Sequence, residues 1–118
     1  MNFIFKIIIT TFAVAITSYI LPGVSVDVFT TAIFVAIVLA VLNTLLKPIL
    51  IILTIPITLF SFGLFLLVIN AFIILLTSRI VEGFKVDGFW WALAFSIILS
   101  IVTGVLESFN KKGGTDHQ

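Results

Sequence analysis

Few side chains in this sequence are equipped for chemistry, and most of those stand inside long apolar runs. Asn43, Lys47, Asn70 and Glu107 interrupt or close hydrophobic stretches, while Asp27 and Asp87 fall in two short polar segments. Pro48 and Pro56 punctuate a third apolar stretch that lies between them in the chain. Amides, an ammonium and carboxylates at such positions suit hydrogen bonding between helices, water or solute contact within a membrane, or capping of helix ends. They do not suit catalysis: no Ser/His/Asp set and no pair of buried carboxylates can be assembled from them. Cysteine is absent and the only histidine is His117, in a polar tail, so no metal site and no cofactor is expected. The residues to test first are Asn43, Lys47, Pro48, Pro56, Asn70, Asp27 and Asp87.

The elements that must position these residues follow from composition. Of 118 residues, 62% are hydrophobic and only 9% charged, and the mean hydropathy is +1.42. A soluble domain is nearer half apolar and a quarter charged, so lipid is the expected solvent. A net charge of +1, with no basic cluster beyond Lys111-Lys112, gives no footprint for nucleic acid. Four apolar runs, 3–21, 30–46, 63–81 and 89–109, each approach or reach the roughly 17–25 residues that cross a membrane as a helix. Asn110–Gln118 reads as a disordered polar tail. The fold class expected is therefore an all-α integral membrane domain over 1–109 with four transmembrane helices.

Shifting the sequence by 60 residues aligns it with itself without a gap, with about 14 identities in the 44 positions from 3 to 46. Ile and Leu alone would inflate such a score, but Thr17/Thr77, Ser18/Ser78, Gly23/Gly83, Asp27/Asp87 and Phe29/Phe89 are not explained by apolar composition. The four spans thus read as two tandem two-helix repeats, 3–46 and 63–106, joined by a linker element over 47–62. The repeated Gly-x-x-Val-Asp-x-Phe loops read as helix-capping turns, with glycine leaving one helix and Asp27 or Asp87 capping the next. An N-terminal apolar run could be a signal peptide, but its second copy at 63–81 could not.

Residues 48–62 span only about 22 Å as a helix, short of a hydrocarbon core of about 30 Å. They are expected to form a re-entrant or interfacial segment, broken near both prolines. Lys47, Thr54, Thr58 and Ser61 make a narrow polar stripe on it. With four crossings, Lys6, Lys47, Lys111 and Lys112 share one side, which the positive-inside rule assigns to the cytoplasm together with both termini. The second span carries Ala32, Ala36, Ala40, Asn43 and Lys47 on one face, and the fourth carries Ala92, Ser96, Ser100, Thr103 and Glu107 at the matching positions. Small-residue stripes let membrane helices approach closely, so these two helices are expected to pack together, with Lys47 meeting Glu107.

Asn43-x-x-x-Lys47-Pro48, the Leu-Thr-x-Pro-x-Thr run at 53–58, Gly63-Leu64-Phe65, Ile69-Asn70-Ala71 and Gly83-Phe84-x-Val86-Asp87-Gly88-Phe89 occur together. This combination resembles a bacterial family of small four-span membrane proteins, phage holin family 4 or holin superfamily IV. The resemblance covers nearly the whole chain apart from the tail, and implies a multi-pass protein of the bacterial inner membrane. Three functions are then open: a holin-like homo-oligomer that permeabilises the membrane, a channel or transporter for a small solute, ion or lipid, or a structural or envelope-stress accessory protein acting through partners. Membrane lipids are the one partner all three share.

Overall fold

The computed structural model describes residues 2–114. Helix α1 (Phe3–Ile20) leads through strand β1 (Val24–Val26) to α2 (Phe29–Leu53). A short helix α3 (Ile55–Phe60) turns the chain into α4 (Phe65–Ile80), strand β2 (Phe84–Val86) and α5 (Phe89–Gly114). Three helices, α1, α2 and α5, are long and apolar enough to cross a membrane, and α4 is a shorter apolar helix of 16 residues. The protein is a predominantly helical four-helix membrane bundle. Helix α5 runs on to Gly114, past the start expected for the polar tail; residues 115–118 lie outside the described residues.

The expectation of a purely helical chain is corrected by the two loops. Strands β1 and β2 pair antiparallel with Val24 opposite Val86, Ser25 opposite Lys85 and Val26 opposite Phe84. The central pair are residues 60 apart, so the sheet is built about a twofold relation between the two loops. Two further bonds extend it symmetrically, from Asp27 N–H to the Gly83 carbonyl and from Asp87 N–H to the Gly23 carbonyl, at 3.1 and 2.9 Å. The segments Val-Ser-Val and Phe-Lys-Val alternate apolar and polar, the period of a strand with one buried face, and Val24 and Phe84 are indeed the buried members. At Gly83 the backbone takes φ +91°, and a Cβ there would meet the Asp27 carboxylate at 2.5 Å, so only glycine fits the close approach.

Both loops sit at one end of the bundle because their strands pair. Neighbours around the bundle are α1–α2, α2–α4, α4–α5 and α5–α1, while α2 and α5 lie diagonally opposite, with no Cα atoms within 8 Å of each other. The buried positions of α1 (Ile9, Thr11, Ala13, Val14, Thr17) recur 60 residues later as those of α4 (Ile69, Ala71, Ile73, Ile74, Thr77). In α2 the buried residues run from Thr31 to Leu39 only, and in α5 they are Ala92, Phe95 and Ser96. All of these lie in the half of the bundle nearer the sheet. The helices are therefore packed at the sheet end and splayed at the other, giving extents of 40 × 37 × 23 Å.

The prolines behave differently from one another. Pro48 sits inside α2 without ending it, correcting the expectation of a break there. Its missing N–H leaves only the Thr44 carbonyl short of a partner, a loss that membrane helices tolerate. Pro56 occupies the first turn of α3, where its lack of an N–H costs nothing. Thr54 fills the junction, its Oγ1 donating to the Leu50 carbonyl at 2.8 Å. Helix α3 closes with Phe62 in the left-handed region, Phe62 N–H on the Leu59 carbonyl and Gly63 N–H on the Thr58 carbonyl, a Schellman arrangement.

Candidate functional site

The packed half is filled on its axis, and an open groove of about 460 Å³ lies on its outside, between α1 and the first loop, bordered by Ser18, Tyr19 and Asp27. Val14, Val35, Phe84 and Phe95 are almost fully enclosed, with the Phe84 and Phe95 rings 5.4 Å apart. This apolar plug closes the bundle axis beneath the sheet. Below it the diagonal helices α2 and α5 face each other across open space, and that space is where the polar residues of the spans collect.

A cavity of about 400 Å³ lies between α1, α2 and α5, with Lys6, Thr10, Asn43, Ser100, Thr103 and Glu107 among its walls. A smaller one of about 90 Å³, between α2, α4 and α5, is bordered by Asn43, Lys47, Asn70, Ser96 and Ser100. Asn43 and Ser100 border both, so the two cavities adjoin and together make up a cleft on the bundle axis, with Lys6 and Glu107 lining only the larger and Lys47 and Asn70 only the smaller. The small-residue stripes thus face inward, as expected, but they do not pack on each other. Ala32, Ala36 and Ala92 are buried beside α1 and α4, and further from the sheet the stripes separate to line the cleft. Lys47 and Glu107 do not meet, because α2 and α5 are diagonal and the two side chains line different parts of the cleft.

The serines near the cleft are satisfied within their own helix: Ser96 Oγ donates to the Leu93 carbonyl at 2.9 Å and Ser100 Oγ to that of Ser96 at 2.9 Å. Such back-bonding is the usual fate of hydroxyls in membrane helices. The amides differ. Among the described residues neither the Asn43 nor the Asn70 side chain makes a hydrogen bond within the protein, so the bond expected of Asn70 between helices is not formed. Carboxamides at membrane depth need partners, and here the cleft is where those partners would be.

At the sheet end the Asp27 carboxylate accepts from Val28 N–H at 2.7 Å and from the Thr31 hydroxyl. The Thr31 bond, ahead of the opposing effect of desolvation, holds its pKa below the ordinary 3.8. It does not reach the free N–H groups of the first turn, and the cap position Val28 has no side-chain bond. Asp87 makes no side-chain hydrogen bond among the described residues and is exposed. Position 91 holds Trp where position 31 holds Thr, so the hydroxyl that fixes Asp27 has no counterpart. The aspartates are loop residues of a sheet rather than a matched pair of helix caps.

Of the sequence-derived candidates, Asn43, Lys47, Asn70 and Glu107 are brought to one cleft, whereas Asp27 and Asp87 stand at the opposite end and Pro48 and Pro56 shape the backbone. Lys6, Thr10, Ser100 and Thr103 join the cleft without having been singled out for it. Their signal was present in the 60-residue offset, which puts Thr10 in register with Asn70 and Thr103 in register with Asn43.

Comparison with known proteins agrees with a membrane protein of bacterial type. The chain is 44% identical over 87 residues to the uncharacterized membrane protein YvlD of Bacillus subtilis, covering 69% of this chain and 73% of that one. It is 36% identical over 122 residues to the uncharacterized protein SCO3922 of Streptomyces coelicolor, covering 95% of this chain and 98% of the relative. No solved structure matches the chain. The family model described as mycobacterial four-span phage holin, superfamily IV, matches residues 1–105. The chain belongs to the holin superfamily IV of four-span bacterial membrane proteins.

Proposed function

We propose that this protein is a holin-like, homo-oligomeric protein of the bacterial inner membrane that raises permeability to small polar solutes. The observation that carries the reading is the cleft: a bundle with an apolar exterior holds a polar recess lined by Asn43, Lys47, Asn70 and Glu107. Polar and ionisable groups inside a membrane are costly, so their convergence on one lumen marks a path for water or solute. The family name supports the same reading. The test is release of a self-quenched dye from liposomes over a wide range of protein density. Leakage that rises steeply with density supports it, and intact vesicles at every density rule it out.

A second reading, a channel or transporter for a small solute, ion or lipid, is favoured by the burial of Val14, Val35, Phe84 and Phe95 on the sheet side of the cleft. A recess closed on one side is the form of a binding site open to one compartment. Saturable uptake at low protein density, where dye is retained, would select it over permeabilisation.

The topology belongs to the same proposal. The chain is two tandem repeats, 3–46 and 63–106, in the same orientation, with 47–62 as linker; the twofold sheet register and the recurring buried positions support this. Helix α3 is interfacial: Thr54, Thr58 and Ser61 are half-buried, while Leu59, Phe60 and Phe62 are exposed. The splayed end carries Lys6 and Lys47 and is cytoplasmic by the positive-inside rule.

A further inference from the structure

We propose that the smaller cavity, between α2, α4 and α5, is a binding site for a halide-sized anion, held by the Lys47 ammonium and the Asn43 and Asn70 carboxamides. The inference rests on the reading above that solute enters the cleft, and names what this part of it holds.

The two cavities of the cleft are mates under the 60-residue offset. Leu39, Thr103, Glu107 and Thr10 border the larger, and their counterparts Leu99, Asn43, Lys47 and Asn70 border the smaller. The scaffold is repeated, but its polar set is not. Positions that carry two hydroxyls and a carboxylate in one repeat carry two amides and an ammonium in the other.

The walls of the smaller cavity are rich in donors. Asn43 and Lys47 are four residues apart and share a face of α2, and Asn70 approaches from the neighbouring helix α4. Ser96 and Ser100 spend their hydroxyl protons on carbonyls of α5. The donors left are the ammonium and the two carboxamides, neither of which bonds within the protein among the described residues. No carboxylate borders this cavity. Asp27, Glu82 and Asp87 stand at the sheet end, Glu107 lines the larger cavity, and Asp116 lies outside the described residues.

The setting strengthens the attraction. Leu39, Ile73 and Ile74 are buried and wall the cavity toward the sheet. Lys47 is half-buried and lies six residues, about 9 Å, inside the end of α2. A charge beside apolar walls is weakly screened and costly without a counter-charge. An anion would accept one charge-assisted bond from the ammonium and further bonds from the two amides. The size agrees: about 90 Å³ holds roughly three waters at about 30 Å³ each. That is room for a halide and part of its hydration, and too little for a phospholipid headgroup.

The full chain in phosphatidylcholine nanodiscs is titrated with sodium chloride, and binding is read from the excess quadrupolar linewidth of the chloride resonance. The expected result is saturable broadening that bromide displaces. Losing a hydrogen bond to a charged group weakens binding by about tenfold or more, so chloride affinity should fall that far in Lys47→Met and fall also in Asn70→Leu. Tryptophan emission shows which variants keep the fold; if Lys47→Met unfolds, Asn70→Leu, an apolar change suited to a membrane helix, decides. Lys6→Met, at a residue bordering only the larger cavity, should bind as the parent does. No saturable broadening in the parent, unchanged affinity in a folded Lys47→Met or Asn70→Leu protein, or an equal loss in Lys6→Met overturns the proposal. Dye release and saturable uptake on the same preparation keep the two ideas separable. Transport without chloride binding sinks this inference alone, and chloride binding in a protein that neither leaks nor takes up solute sinks the functional reading alone.

Discussion

Replacing Phe84 with alanine should be among the most damaging single changes available in this protein. Phe84 is 1% exposed although it lies in a loop between membrane helices, and its ring rests on Phe95. Emptying a buried phenylalanine site in a core costs about 3–5 kcal/mol, from lost transfer energy and the cavity left behind. The full range applies because the loop unfolds toward water and headgroups. Phe95 is equally buried but stands within a span, where lipid replaces protein on unfolding and only packing is lost. Phe95→Ala should therefore cost less than Phe84→Ala, and the double variant should show about 0.5–1.5 kcal/mol of coupling for the ring pair. Val24 holds the equivalent place in the first loop; removing two methylene-sized groups there costs about 1.6 kcal/mol before any cavity forms. Reversible unfolding in mixed micelles with rising dodecyl sulfate, followed by the fluorescence of Trp90 and Trp91, gives the order Phe84→Ala, then Val24→Ala. A Phe84→Ala protein within about 1 kcal/mol of the parent would mean that the loops are not part of the core, and the reasoning from the sheet would be wrong.

Three other outcomes are expected. Gly83→Ala forces a side chain into φ +91° against the Asp27 carboxylate and should destabilise by about 1–3 kcal/mol from the backbone alone; Gly63→Ala, also at positive φ but in open space, should cost no more than that backbone part. Thr31→Val removes the main cause of the low Asp27 pKa. The carboxyl resonance of Asp27 should then titrate nearer 3.8. Because a depressed carboxyl pKa stabilises the fold above the unfolded value and is lost as pH falls through the folded one, the parent's advantage should be full at neutral pH and fade only below about 3.8. The chain has no cysteine, so single-cysteine variants report access cleanly: a membrane-impermeant maleimide should label Asn43→Cys from the side of the splayed end only, and leave Ala32→Cys unlabelled.

Much of this fold was legible because membrane helices announce themselves by length and apolarity, and because the 60-residue offset is carried by residues that apolar bias cannot supply. Of those matched pairs, Thr17/Thr77 and Ala32/Ala92 are fully buried in the bundle. The loops were harder. Gly-x-x-Val-Asp reads equally as a turn or as a strand entry, and three residues are too few for periodicity to decide. Only the partner strand 60 residues away makes Val-Ser-Val a strand. Pro48 misled because the propensity against a mid-helix proline is measured in water, whereas a membrane helix has no competing solvent for its backbone. The stripe on α2 and α5 correctly marked the inside, yet small residues do not say whether a helix touches its partner or leaves a gap. Asn43 and Thr103 were the clue to the gap, since polar groups on a tightly closed interface would have required bonds to each other.

The paired strands have a mechanical consequence. They tie the two hairpins at one end, and the buried residues cluster near that tie, so the bundle is built like a pair of tongs. A rotation of about 5° at the sheet, carried along the roughly 37 Å of a 25-residue helix, shifts the far tips by about 3 Å. That is enough to change whether a headgroup or only water passes between the arms. The width of the mouth is therefore held from both ends, by the three paired residues of each loop at one and by α3, which joins the far tips of α2 and α4, at the other.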